Sequence, residues 1–423
     1  MKKTALALLS FSLGLAPWVT QASNGYFSHG YGTRNKALAG AGVALPEDAM
    51  GIAVNPALMP YVGNRYDVGV GLFMPNRGFT ADQPSATPAG VPFIPTGTYE
   101  SDNDFFLIPH FGYNRMLDAK SSLGLSIGGN GGMNTEYNAA VFGNFAAPGV
   151  TTSPTGIDMA QMFMGLSYAR EFSPGLTLGL APVLSVQRIK AQGLEPFQAL
   201  SIHPDNVTNK GYDYSYGGGV KIGALSQFND RFSLGLAYQS RLWMSRLKDY
   251  NGLLAEEGDF DIPAIVQVGM ALKIKPDISF LYDIQHIFFE DVPAIANANG
   301  IVLGPNSLGG DTGLGFGWED QTIHKFGLEW NASKDWDLRL GFSTANDVLS
   351  GTQALFNVLA PATVTEHLTF GFTRKIDQDS SISFAFSHAF NKKVSGTNPN
   401  TPFQTGYLEM DQNELEISWS QMF

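Results

Sequence analysis

The chain has 423 residues, no cysteine, and 26 Lys and Arg against 38 Asp and Glu, for a net charge of −12. That acidity makes nucleic acid a poor partner, and the missing cysteines rule out a disulfide framework. Beyond the leader, no apolar window free of Gly and Pro approaches the roughly 20 residues of a spanning helix, which excludes the helical membrane class.

Lys2 and Lys3 precede an apolar run from Ala5 to Ala16, and Thr20, Gln21 and Ala22 supply small residues at a cleavage site. This is the pattern of a secretory signal peptide over residues 1–22, too short to be a membrane anchor. Cleavage near Ala22 removes two lysines and no acid, so the balance moves from 26 minus 38 to 24 minus 38, or −14.

Residues 23–64 are rich in Gly and Ala and show little alternation. From residue 65 to 423 the pattern changes to a period of two. Trp336, Leu338, Leu340 and Phe342 share one face of a strand, and Asp337, Arg339, Gly341 and Ser343 share the other. Long strands with apolar faces along their whole length suit lipid, where a crossing needs only about 9 to 11 residues. Alternation and turn chemistry predict strands near 65–75, 102–115, 121–137, 158–172, 175–190, 212–228, 231–246, 261–275, 277–291, 319–332, 335–345, 364–376, 379–394 and 407–423.

Those fourteen strands alternate between tight turns, as at Ser173/Pro174, Asn229/Asp230 and Asp377/Gln378, and long loops. The expected fold is therefore all-β: a fourteen-stranded antiparallel transmembrane β-barrel of a Gram-negative outer membrane, with the tight turns in the periplasm. Closure leaves no unpaired edge in lipid.

Within the third strand Gly128, Gly129, Asn130, Gly131 and Gly132 put four glycines in five residues, which weakens pairing and favours a bulge or bend. The long loops carry Phe142, Phe145, Leu194 and Phe197, which a purely solvated loop does not need. They read either as loops packed together in a lid or as an apolar docking surface. Arg188 and Lys190 are candidates for greeting a carboxylate. By parity they share the face that Leu176, Leu178, Leu180 and Val186 direct to lipid, so contact with lipopolysaccharide phosphate is an equal reading. Glu256, Glu257, Asp259 and Asp261 cluster in one loop, without the spacing of a calcium site.

No pair among the seven histidines has metal-ligand spacing, and no Gly-x-Ser-x-Gly nucleophile motif is present. The expectation is no metal, no cofactor and no enzymatic activity. A hydrolase assembled across strands and a general porin are the alternatives.

The piece AGAGVALPEDAMGIAVNPALM, above all Asn55, Pro56 and Ala57, resembles the N-terminal hatch of the long-chain fatty acid transporter family of outer membranes, which includes the aromatic hydrocarbon channels. LGLSIGGNGGMNTEY, QHIFFED and GFGWEDQTIHKFGLEWNASKDWDLRLGFS line up with the same family in order. The resemblance implies three divisions: a leader over 1–22, a hatch over 23–64 plugging the bore, and a barrel over 65–423. It also implies passive uptake of fatty acids or related hydrocarbons by a monomer, through capture at the loops, rearrangement of the hatch, and sideways exit at a kinked third strand. Gly40 and Gly42 would let the hatch pack closely and move, and Asn55 would hold its turn.

Overall fold

The computed structural model describes residues 24–423; the leader lies outside the described residues. The barrel strands are β1 Arg65–Ala81, β2 Phe106–Met116, β3 Ser121–Glu136, β4 Gly156–Ser173, β5 Leu176–Gln192, β6 Asp213–Asn229 and β7 Phe232–Gln239. The second half comprises β8 Ile265–Lys275, β9 Ile278–Ile287, β10 Gln321–Asn331, β11 Trp336–Ala345, β12 Glu366–Lys375, β13 Ser380–Gly396 and β14 Gly406–Met422. Each pairs antiparallel with the next, and β1 pairs with β14 from Arg65↔Met422 to Ala81↔Gly406, closing the cylinder. Two further short strands lie beside it: Gly97–Glu100 pairs with β1, and Trp243–Met244 with β6.

Side-chain burial follows the strand period with the usual sense inverted. On β5, Leu176, Leu178, Leu180 and Leu184 are exposed, whereas Thr177, Ala181, Ser185 and Gln187 are buried. β11 does the same with Leu338 and Leu340 outside and Asp337, Arg339 and Ser343 inside. A surface of this kind is stable only against hydrocarbon.

Most boundaries fall within two residues of expectation, but the first strand runs on to Ala81 instead of 75, the second starts at Phe106 instead of 102, and the ninth ends at Ile287 instead of 291. The seventh strand ends at Gln239 instead of 246, and the eighth starts at Ile265 instead of 261. Between them the Asp261 carboxylate accepts from Arg241 Nε and from the Met244 backbone N–H, each at 2.6 Å, and draws the chain out of the ladder. Pro263 cannot donate to one.

The leading segment fills the barrel's lower bore. Leu38, Ala41, Ala44, Ile52, Leu58 and Met59 pack against the inward wall residues Ala169, Ala181, Leu225, Ala271 and Leu281. Its short helices, Thr33–Lys36, Gly51–Val54 and Pro56–Tyr61, leave many backbone groups for the wall to satisfy. Glycine sets how closely the plug packs on itself and on the wall. A Cβ at Gly40, which has φ 78°, would lie 1.9 Å from the His29 carbonyl. One at the wall residue Gly223 would lie 1.9 Å from Asn55 Oδ1.

Candidate transport site

The third strand breaks the wall. Pairing between β2 and β3 runs from Met116↔Ser122 to His110↔Gly128 and stops. Above that point Phe106 to Pro109 pair with β1 alone, and β3 continues to Glu136 paired with β4 alone, through a register shift between Gly129 and Gly131. The two chains meet again where Asp102 N donates to Glu136 O at 2.9 Å. Residues 103–109 and 129–135 thus border a window.

The first described residues of the plug stand behind it. Phe27 bridges Gly131, Ser28 N donates to Asn130 O at 2.7 Å, and Gly132 N donates to Tyr26 O at 2.9 Å. Asn130, wholly buried, extends this contact: it accepts from Tyr31 Oη at 2.6 Å and donates to Gln161 at 2.9 Å. Gln161 donates to Gln187, which donates to the Phe260 carbonyl of an extracellular loop. One hydrogen-bonded chain therefore joins plug, window and loop.

Cavities flank the broken strand. One, of about 20 Å³, reaches Gly132 and Asn134 and is lined by Phe73, Arg77, Met133, Trp318, Pro361 and Met410. A second, of about 30 Å³, lies between the plug and the wall, against Ser126 and Gly128, with Tyr31, Met50, Ile52, Phe163 and Lys221 around it. Both are small and mostly apolar with a few polar groups, so a ligand larger than water enters only as the plug or the lining moves.

The plug is held by polar contacts. Asn55 Nδ2 donates to Val43 O at 2.8 Å and to the wall carbonyl of Ala224 at 3.1 Å, and its Oδ1 accepts from Ala57 N at 3.0 Å. Pro56, at the start of that helical turn, has no N–H to leave unpaired. Gly42 N and Val43 N donate to Asp283 Oδ2 at 2.7 and 2.9 Å. Lys36 Nζ lies 2.6 Å from both Glu414 and Glu416, and Arg339 2.7 Å from Glu47. Buried charges of this kind persist only when paired.

The loop aromatics form a cover. Phe142, Leu194 and Phe197 are buried, and the Phe197 ring lies 5.0 Å from both Phe142 and Phe356, with Phe145 alongside at 5.9 Å. Of the two expectations the packed lid describes this arrangement; these residues present no open docking surface, because loops distant in sequence bury them. Among the described apolar side chains Val302, in another loop, is the most exposed, at 75%.

Arg188 and Lys190 lie on the outward face of β5, away from both cavities. Arg188 is 3.4 Å from Asp158 and stacks over Tyr212, as does Lys190. The four loop acids do not converge: Asp261 binds Arg241, and Glu257 faces Arg246 and His203. Burial, then the neighbouring Asp261 carboxylate, push Asp259 up to about 6. Among the described residues no group of three acids and histidines could hold a metal ion. Ser343 Oγ and His367 Nδ1 are 3.3 Å apart, but His367 Nε2 has no hydrogen-bond partner among the described residues, so no acid orients the ring as a general base.

A lipid-facing cylinder, stoppered by its own leading segment and opened in its side wall beside that stopper, is an outer-membrane transport barrel. The family comparison agrees over nearly the whole chain. This protein belongs to the outer membrane protein transport protein family (OMPP1/FadL/TodX), whose model matches residues 15–416.

Solved structures share the fold. The Pseudomonas putida toluene transporter TodX is 19% identical with a TM-score of 0.71, covering 93% of this chain and 99% of its own. A Pseudomonas aeruginosa FadL homologue is 14% identical with a TM-score of 0.69, covering 94% and 100%. The Ralstonia pickettii toluene transporter TbuX is 17% identical with a TM-score of 0.64, covering 93% and 99%. No curated protein matches the chain.

Sequence reasoning missed the cation nearest the window. Arg77 lies beyond the predicted end of the first strand, although its parity with Phe73 and Phe79 already marked it as inward-facing.

Proposed function

We propose that this protein is a passive channel for hydrophobic small molecules, fatty acids or related hydrocarbons, and that it has no enzymatic activity. Ligand is captured at the extracellular loops, where Phe142, Phe145, Leu194 and Phe197 separate to admit it, and passes to the cavities beside the third strand. Burial there gains roughly 25 cal/mol per Å² of apolar area. The plug, residues 23–64, shifts at Asn55, Pro56, Ala57, Gly40 and Gly42, and ligand leaves sideways between residues 128–132 and β2 into the bilayer.

The window carries this reading. A general porin needs an open aqueous bore and an unbroken wall, whereas an oily ligand is best released into hydrocarbon. The chain would act as a monomer after removal of residues 1–22, with residues 65–423 forming the barrel and Arg188 and Lys190 meeting lipopolysaccharide phosphate.

The test is uptake of labelled oleate and toluene by a bacterial host that lacks its own channel for them, alongside conductance and sugar-driven liposome swelling. Hydrophobic uptake with near-zero conductance and swelling is expected. Sugar permeation without hydrophobic uptake would mean a porin, and turnover of a lipid ester would mean an enzyme.

A further inference from the structure

Of the cations that face the barrel interior, Arg77 is the one placed at the window itself. It is 6% exposed, and among the described residues it has no ion pair. Its Nη2 donates to the Asn103 carbonyl at 2.8 Å, on one lip of the opening, and to Asn134 Oδ1 at 3.4 Å, on the other. The guanidinium lies 5.4 Å from the centre of the Phe106 ring, and its buried Nε has no hydrogen-bond partner among the described residues. Apart from Asn134, the side chains around its cavity are apolar, among them Phe73, Met133, Trp318 and Met410. Of the other buried cations, Lys36, Arg65 and Arg339 are each committed to carboxylates of this chain, and Lys221 and Lys325 donate to the plug carbonyls of Ala53 and His29.

A buried guanidinium that no carboxylate among the described residues contacts directly is costly, with Asp104 and Asp158 acting on it only from a distance, and its fork of donors matches a carboxylate. We infer that Arg77 is the head-group receptor of the channel: it binds the carboxylate of a long-chain acid whose apolar tail lies along Phe73, Met133 and Trp318, and so selects acids over neutral hydrocarbons at the lateral exit. This rests on the channel reading and narrows it to one substrate class. The site serves specificity and release together. Since Arg77 also bridges the lips, an arriving carboxylate competes with Asn103 and Asn134 for its donors and loosens the upper rim.

The experiment compares equilibrium binding of hexadecanoate and hexadecanol to the purified, folded protein in uncharged detergent, for the native chain, Arg77→Gln and Arg77→Lys, with heat-modifiable gel mobility as the folding check. The native protein should prefer the acid, Arg77→Lys should keep most of that preference, and Arg77→Gln should lower the acid-to-alcohol affinity ratio by about tenfold or more. An unaltered ratio in folded Arg77→Gln overturns the inference. So does a native protein that binds alcohol and toluene but not acid, a result that leaves the channel reading intact. Binding of none of these ligands removes both. Stronger Arg77-dependent binding of hexadecyl phosphate than of the acid would assign the pocket to a phosphate head group instead. A readout on the native chain does not depend on the variants' folding: hexadecanoate brominated beside its carboxyl should quench the emission lost in Trp318→Phe more than the terminally brominated isomer, and the reverse order overturns the assignment.

Discussion

Phe27 of the plug and Gly131 of the third strand form a backbone bridge, in the place where a barrel wall would have its own neighbouring strand. The plug therefore completes the wall as well as blocking the bore. A movement of residues 26–28 would break the contacts with Asn130, Gly131 and Gly132 together, coupling the stopper to the window through one short stretch of main chain.

Restoring strand character at the bulge should close that route. Gly129→Val with Gly131→Val replaces two residues of low strand preference by β-branched ones. Hydrophobic uptake should fall by about an order of magnitude or more if the window is the exit, while heat-modifiable mobility stays that of a folded barrel. Normal uptake in the folded double variant would reject lateral exit.

Asn55→Ala removes three hydrogen bonds, two of them within the plug and one to the wall. At about 0.5–1.5 kcal/mol each, the bond lost to the wall weakens the plug's docking directly by about that amount, and the two lost within the plug loosen the turn that presents it. Planar-bilayer recordings should then show frequent openings that the native protein lacks. Gly223→Ala should act in the same direction, since its methyl would displace the Asn55 amide.

Lys36→Met leaves Glu414 and Glu416 without the cation they share. Such a loss costs about 3–5 kcal/mol, measurable as a lower urea midpoint for unfolding of the barrel with its plug. Adding Glu414→Gln and Glu416→Gln should recover much of the loss, because neutral amides no longer need the ammonium. If the triple variant were as unstable as Lys36→Met, the role of the charge would be wrong.

Asp259 gives the extracellular cover a pH dependence. Its carboxyl is raised from 3.8 to about 6, so the folded loop holds the proton more tightly than the unfolded chain. The stabilisation is complete below pH 3.8 and is lost as pH rises through 6. Limited proteolysis over residues 240–264 should therefore quicken between pH 4 and pH 6, modestly, because the group is partly solvated. Asp259→Asn should flatten the profile.

Particular elements show how far the chain could be read directly. The alternation Leu176, Leu178, Leu180 is visible without coordinates because each residue of a strand faces the same solvent as the next but one. Asn55-Pro56-Ala57 pointed to a plug only through its resemblance to the family's hatch, and the structure shows it as a local turn with its own cap. Arg77 was legible in its parity but not in its importance, since nothing near it in sequence says that Asn103 and Asn134 lie on either side of it. Phe142 and Phe197 were legible as apolar loop residues but not as partners of Phe356.

Sequence alone was sufficient for strand number, inside and outside faces, the tight turns and the presence of a separate leading segment. Lipid as solvent imposes those features residue by residue, so they survive in a one-dimensional pattern. The bulge in the third strand was legible as a run of glycines, but the edges of the window, the bridge from Phe27 to Gly131 and the placement of the Arg77 guanidinium beside them were decided only in three dimensions. They arise where β2 and β3 stop pairing and a segment about a hundred residues earlier takes up the vacant hydrogen bonds, and register between distant strands leaves no periodic trace in the chain.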